Sequence, residues 1–265
     1  MILLYFFIAH WFLSLFCQTF FLHRYAAHRM FTLSKFWEKF FYLATFTLQG
    51  SSALNPRAYA IMHRMHHAYS DTDDDPHTPR AGSIYKMVMK MLDKYNGLRT
   101  GRIQVSSKFT QNLPEWKYID DLIEYWPTRI LFGTLYTCVY FHYMTSFWWL
   151  LLLPGHYLMG PIHGTIVNWF GHKLGYRNYD IEDDSKNTLV WDLLLMGELY
   201  QNNHHKNPNR LNFAVRWFEL DPGFLLSKCL SFLRIIKPVE PAVKKNRENS
   251  PADTLLTSPQ PAQIL

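Results

Sequence analysis

The chain has 265 residues and a formal charge of +6, with 48% hydrophobic and 17% aromatic residues, enough for one large domain or two small ones around a substantial core. Its mean hydropathy is nonetheless slightly negative, so apolar and polar residues must be segregated into different stretches. Three cysteines, Cys17, Cys138 and Cys229, share no CxxC spacing, so neither a disulfide nor a cysteine zinc site is implied.

Met1 to His23 contains no Asp, Glu, Lys or Arg, and residues 1–22 read as one membrane span. The stretch has no basic n-region and is longer than the apolar core of a signal peptide, so it is expected to stay as an anchor. Arg24, Arg29 and Lys35 follow at once, and all 27 Lys and Arg lie outside the two uncharged stretches. The positive-inside rule then puts Met1 on the far side and the polar remainder in the cytosol. A pI near 9.1 describes a basic cytosolic face for anionic lipids or an acidic protein, and requires no nucleic-acid partner. Where the span leaves the membrane, "HRYAAH" places His23 and His28.

Residues 36–54, "FWEKFFYLATFTLQGSSAL", are apolar but carry Glu38, Lys39 and Gln49. A crossing here would put the histidines before and after it on opposite sides, so the stretch reads as an interfacial or re-entrant helix returning to the same side. "HRMHH" follows, with His63, His66 and His67 at i, i+3 and i+4 on neighbouring positions of one helix face. From Tyr69 to Trp126 the chain is polar and broken by Pro76, Pro79, Gly82, Gly97 and Gly101, which predicts loops and short helices. His77, in "DPH", reads as part of a turn.

Ile130 to His172 is again free of charge and nearly twice the roughly 20 residues of one crossing. It predicts a helical hairpin over about 128–170, turning at Thr145-Ser146 or at Pro154-Gly155. "NWFGH" sets Asn168 and His172 one turn apart at its cytosolic end. Residues 173–237 form a second cytosolic portion. There "QNNHH" (Gln201, His204, His205) repeats the spacing of HRMHH with Gln in the first place. From Pro238 onward Pro, Ser, Asn and charge dominate, and 238–265 reads as a disordered tail.

The 13 histidines sort by company. His10, His142 and His156 stand alone and read as solvated or hydrogen-bonded side chains. His163 precedes His172 by about 13 Å of helix and falls outside the same site. The clustered eight are His23, His28, His63, His66, His67, His172, His204 and His205, at repeated spacings and one membrane depth, where one metal centre can gather them. Four ligands satisfy zinc, so eight imidazoles imply two ions. Imidazole suits iron, copper, nickel and zinc alike, and HRMHH lacks the Glu of the HExxH metalloproteases. The residues alone stop at a two-metal, all-nitrogen site beside a membrane.

HRYAAH, HRMHH followed by "AYSDTDDDPH", and QNNHH after "GELY" resemble the three histidine boxes of the membrane fatty-acyl desaturases, above all the delta-9 (stearoyl-CoA type) group. NWFGH with "GYRNYD" after it is similar to that group's extra Asn and His. The resemblance covers residues 10 to 225. It implies an all-α integral membrane protein, a desaturase domain over 1–237, with transmembrane helices capped by a cytosolic helical domain holding a non-haem di-iron centre. Such a centre activates dioxygen and takes two hydrogens from a saturated acyl chain, leaving a cis double bond, here expected at delta-9. The eight histidines would bind iron and Asn168 would act through a water. Gln201 stands where the nearest members of that group have His, and an amide oxygen is a weaker ligand.

Ligating imidazoles donate from the other ring nitrogen, so carboxylates are expected behind them, with Asp71, Asp75 and Glu198 the candidates. An acyl chain needs a dry tunnel, for which Trp169, Trp191 and the Phe-rich first helix are candidate walls. No cytochrome b5, flavin or ferredoxin motif occurs in the sequence, so electrons are expected from a separate ferredoxin or cytochrome b5 type donor. The acyl group would ride on CoA, a carrier protein or a lipid, in the plasma (inner) membrane or endoplasmic reticulum. Two other classes fit less well. A membrane hydroxylase would use the same boxes, and a non-enzymatic metal carrier would string its histidines along a path across the membrane.

Overall fold

The computed structural model of the chain describes residues 1–239; most of the expected tail lies outside the described residues. Helix α1 (Ile2–Phe16) continues without a break into a π-helical stretch, Cys17–Ala27. Together they form one apolar rod of 26 residues, longer than the roughly 20 that cross a bilayer. It is the one helix among the described residues long and apolar enough to do so by itself. In an α-helix, residues five apart point about 140° away from each other. A π-turn, closed by i→i+5 bonds, returns them to one face. The His28 N–H donates to the His23 carbonyl at 3.1 Å, so the spacing of HRYAAH is itself one π-turn.

Helix α2 (Lys35–Gln49) starts at Ser34, whose hydroxyl accepts from the Trp37 N–H. It turns Glu38, Phe41, Tyr42, Thr45, Phe46 and Gln49 inward and leaves Phe36, Phe40 and Leu43 exposed. It ends at Gly50, in the left-handed region at φ 52°. A Cβ there would lie 1.8 Å from the Tyr136 hydroxyl, so the chain needs glycine to reverse against its neighbour. Helix α3 (Pro56–Tyr69) then begins with the Asn55 side chain accepting from the Ala58 N–H and proline in its first turn. His28 before this excursion and His63 after it meet with Nε2 atoms 2.8 Å apart. Residues 36–54 therefore lead the chain back to the end of the rod that carries His28.

The polar region after α3 holds more helix than its breakers suggest. Helix α4 (Ile84–Arg99) runs for 16 residues and buries Met87, Met91 and Tyr95, one turn apart; lysines on its other faces hide that stripe in the sequence. Short helices α5 (Ser107–Thr110) and α6 (Lys117–Glu124) follow. In the predicted hairpin, α7 (Trp126–Tyr143) ends where Met144 turns extended, and the chain reverses at Thr145-Ser146. The returning arm comes in pieces: a 3₁₀ stretch Phe147–Leu152, then α8 (Leu153–Tyr157) and α9 (Met159–Lys173). Pro154 lies in the first turn of α8, where its missing N–H costs nothing. Tyr157 and Thr137 hydroxyls meet at 2.6 Å across the hairpin.

Helices α10 (Gln201–Lys206) and α11 (Pro222–Phe232) complete the helical set. Strand β1 (Phe31–Leu33) pairs antiparallel with β2 (Ile236–Pro238), Phe31 opposite Pro238, and the Val239 N–H donates to the Met30 carbonyl at 2.8 Å. Pro238, expected to open the tail, belongs to this sheet instead. The main core joins Phe20 and Phe31 to Phe41, Tyr42, Tyr200 and Phe213, packing the π-helix against α2 and the region of the third histidine box.

Candidate metal centre

Two groups of imidazoles emerge from these elements. His23 and His28 from the π-helix, His63 and His67 from α3, and His204 from α10 each offer a nitrogen within 4.8 Å of all the others. His66, His172 and His205 form a second such group. Consecutive residues are split: His67 and His204 face the first group while His66 and His205 face the second. The helices thus form a partition, with the His67 and His205 ring centroids 4.6 Å apart across it.

The nitrogens lie at hydrogen-bonding distance, but several of them face two neighbours at once. His63 Nε2 lies 2.8 Å from His28 Nε2 and 3.0 Å from His67 Nε2. His204 Nε2 lies 3.0 Å from both His23 Nε2 and His67 Nε2. A ring nitrogen carries either one proton or one lone pair, so His63, His67 and His204 cannot serve both of their contacts as ordinary hydrogen bonds. Two nitrogens about 2.1 Å from one ion are about 3.0 Å apart if they subtend a right angle, and about 3.4 Å at the tetrahedral angle. The separations are nearer the right-angle value than the tetrahedral one. In the second group His66 and His205 Nε2 are 3.1 Å apart, and His172 Nε2 is buried with no partner among the described residues. Both groups fit a cation.

A carboxylate stands behind several of these rings. His66 Nδ1 lies 3.0 Å from both Asp75 oxygens, His172 Nδ1 2.8 Å from Asp71 and His205 Nδ1 2.8 Å from Asp183. His23 Nδ1 is 2.6 Å from Glu198 Oε2, poorly aligned for a hydrogen bond. A ring N–H given to a carboxylate leaves the Nε2 lone pair facing the centre. Burial, reinforced by the neighbouring imidazoles, pushes His63, His66, His67 and His204 well below the usual histidine range. They are neutral and able to ligate. Burial alone would raise the Asp183 carboxyl, but hydrogen bonds from His205 and Ser185 hold it below the usual carboxylate range.

A cavity of about 340 Å³ opens onto the first group. Its walls include His23, His63, Asn168 and Gln201 near the histidines, Leu15, Val167 and Met62 in the apolar part, and Arg99 and Glu124 at the polar part. The family model for fatty acid desaturases matches residues 1–229. The chain belongs to the fatty acid desaturase family. It is 32% identical over 217 residues to the delta-9 desaturase-like 2 protein of Arabidopsis thaliana, covering 77% of this chain and 66% of that one. The sn-1 stearoyl-lipid 9-desaturase of Anabaena variabilis is 28% identical over 84% of this chain and 78% of its own length. The hex-5-enoyl-(acyl-carrier protein) acetylenase of Moorena producens (strain JHB) is 28% identical over 88% and 75%. The chain thus spans about two thirds to three quarters of the length of these relatives.

In this desaturase all eight histidines singled out in the sequence lie in the two groups, with Asp71, Asp75 and Glu198 behind them. Asn168, one turn from His172, lines the cavity. Gln201 is buried and lines it too, but its amide N–H donates to the Glu198 carbonyl at 2.6 Å. Asp183 was not foreseen, because "EDDS" carries no spacing relative to a box. His77 is more than a turn residue: it is buried, its ring centroid is 4.1 Å from that of His66, and it lines the cavity. Trp169 and Trp191 are not among the cavity walls; Trp169 stacks with the Lys173 ammonium and Trp191 is 67% exposed. From the first helix it is Leu15, Gln18, Thr19 and His23 that line the cavity, not its phenylalanines. Arg24, counted above as a cytosolic charge, is wholly buried and bridges Glu198 at 2.8 Å and Asp221 at 3.0 Å, tying the π-helix to the third box.

Proposed function

We propose that this desaturase inserts a cis double bond, at delta-9, into a saturated fatty-acyl chain at a pair of irons held by its eight histidines. The observation that carries the reading is the division of those histidines into converging groups of five and three, the first of which opens onto a largely apolar cavity. His23, His28, His63, His67 and His204 hold one ion; His66, His172 and His205 hold the other, with Asn168 one water away. Bound iron supplies the oxidant that side chains lack for an unactivated methylene. Asp71, Asp75, Asp183 and Glu198 fix the ring orientations. The cavity keeps the acyl chain in one posture and excludes water, so two adjacent carbons are presented together. With its amide N–H committed to Glu198, Gln201 has its carbonyl oxygen left for a water or an ion.

The relatives act on different carriers by name, a lipid and an acyl-carrier protein, so the acyl carrier is left open here. Electrons come from a separate ferredoxin or cytochrome b5 type protein at the basic face. The rod Ile2–Ala27 and the α7–α9 hairpin cross the membrane, with the histidines on the cytosolic side. Fatty-acid profiling tests the reading: a host lacking its own desaturase and expressing this chain should accumulate cis-monounsaturated acid with only traces of hydroxy acid. A dominant hydroxy acid would make the chain a hydroxylase. Purified protein should carry about two irons, since eight imidazoles exceed the needs of one ion; a single zinc would sink the proposal.

A further inference from the structure

The loop joining the Asn187–Thr188 backbone pairing to the third box, residues 189–199, is built differently from the other polar-side loops. It turns Val190, Trp191, Leu193 and Leu194 outward, each more than half exposed. Its only charged side chain before Glu198, that of Asp192, is fully buried. The Asp192 carboxylate accepts from the Leu195 N–H at 2.9 Å and the Leu199 N–H at 2.8 Å. The Tyr200 hydroxyl donates to the Val190 carbonyl at 2.8 Å, and the Gly197 N–H donates to the Asp192 carbonyl at 3.1 Å. Leu195, Met196 and Leu199 pack inward against Leu15 and Trp11. The loop thus meets much of its own backbone demand internally and offers its surroundings aliphatic and aromatic surface. Irregular backbone is tolerated at membrane depth only where the protein itself meets its polar groups, and here the Asp192 carboxylate and the Tyr200 hydroxyl supply such partners.

Its location agrees. The Trp11 indole N–H donates to the Leu194 carbonyl at 3.1 Å. Trp11 lies in the N-terminal half of the 26-residue rod, roughly 15 Å beyond His23 along its axis. Beside it α1 presents Ile8, Phe12 and Leu13 outward. Trp191 also pairs with Leu220, from which the exposed Leu225 and Leu226 of α11 continue the apolar surface. We propose that the 189–196 loop dips into the bilayer beside α1, its four outward side chains against lipid tails and α11 lying at the interface. The partner is the lipid bilayer itself. The inference rests on α1 crossing the membrane.

Site-directed spin labels test both statements separately. In protein carrying Cys138→Ser and Cys229→Ser, with Cys17 buried out of reach of the label, reconstituted in phosphatidylcholine nanodiscs, one added cysteine at a time replaces Leu193, Phe12 as a label on α1, or the exposed Glu182. Accessibility to oxygen and to a water-soluble nickel chelate is then compared by power saturation. The label at 193 should show an oxygen-to-nickel ratio at least three-fold above that at 182 and close to that at 12. A ratio at 193 matching that at 182 would overturn the proposal, with α1 still vouched for by position 12. A label at 193 reached by neither reagent would also overturn it, in favour of a protein covering the loop. If position 12 itself is aqueous, the premise fails rather than the loop. Leu194→Cys repeats the measurement should the first variant not fold.

Discussion

Buried histidines occur in two regions of this molecule, and they differ in what stands behind the ring. At the candidate metal centre, carboxylates take the outer ring nitrogens of His66, His172 and His205 and the inner nitrogens crowd to about 3 Å. Deeper along the rod, His10 and His156 meet through Nδ1 atoms 2.6 Å apart; His10 Nε2 donates to the Leu48 carbonyl, and His156 Nε2 accepts from the Tyr140 hydroxyl. This second set is a closed chain of neutral hydrogen bonds tying α1, α2, α7 and α8 together, with no lone pairs left to converge. His163 has neither arrangement, both nitrogens being buried without a partner among the described residues. Burial and residue type are shared; the candidate centre differs in that its inner nitrogens converge, with carboxylates behind His66, His172 and His205.

Mutation of the two sets should separate them widely. His204→Ala or His66→Ala should take product below detection and remove at least one of about two irons, whereas His156→Ala should leave iron content intact. Iron analysis of both purified variants checks this, and equal iron loss would erase the distinction. Next in size, Asp183→Asn should weaken iron binding about 10- to 100-fold, the usual effect of losing a group behind a ligating imidazole, as read by competition with a chelator. His156→Ala should lower unfolding stability by about 1–3 kcal/mol, by breaking a buried hydrogen-bonded chain. His163→Leu should raise stability by about 1 kcal/mol, because two unsatisfied nitrogens leave the interior; a fall would mean that the ring is paired in solution. His142→Ala, on an exposed position, should stay within about 0.5 kcal/mol of the parent and keep its activity.

The sequence revealed the histidines because their spacings are local: i, i+3, i+4 in HRMHH needs only a helix to become one face. The division of neighbours such as His204 and His205 between two groups depends on where α3 and α9 meet α10, and no window of sequence contains that. HRYAAH was found but not understood, since a five-residue spacing makes no face on an α-helix and a π-turn leaves no signature in composition. Asp183 was invisible for the opposite reason, being one of several acids in a polar stretch, selected only by its approach to His205. The hairpin left two turns open, and packing of Tyr157 on Thr137 favours Thr145-Ser146. The long helix α4 was missed because its buried Met87, Met91 and Tyr95 are diluted by surface charge.

Each group of histidines joins residues far apart in sequence: His67 must meet His204 and His66 must meet His205, 137 and 139 residues further on. At about 5–20 residues per second on the ribosome, HRMHH waits on the order of ten seconds for its counterpart. Through that interval neither ion can find its full shell. An ion captured early would have to be held by an incomplete cluster in an open, hydrated setting. If the two groups hold the ions proposed for them, loading belongs after the third box is made, to a chain already folded around the Arg24 bridge, and metal supply and translation can run on separate clocks.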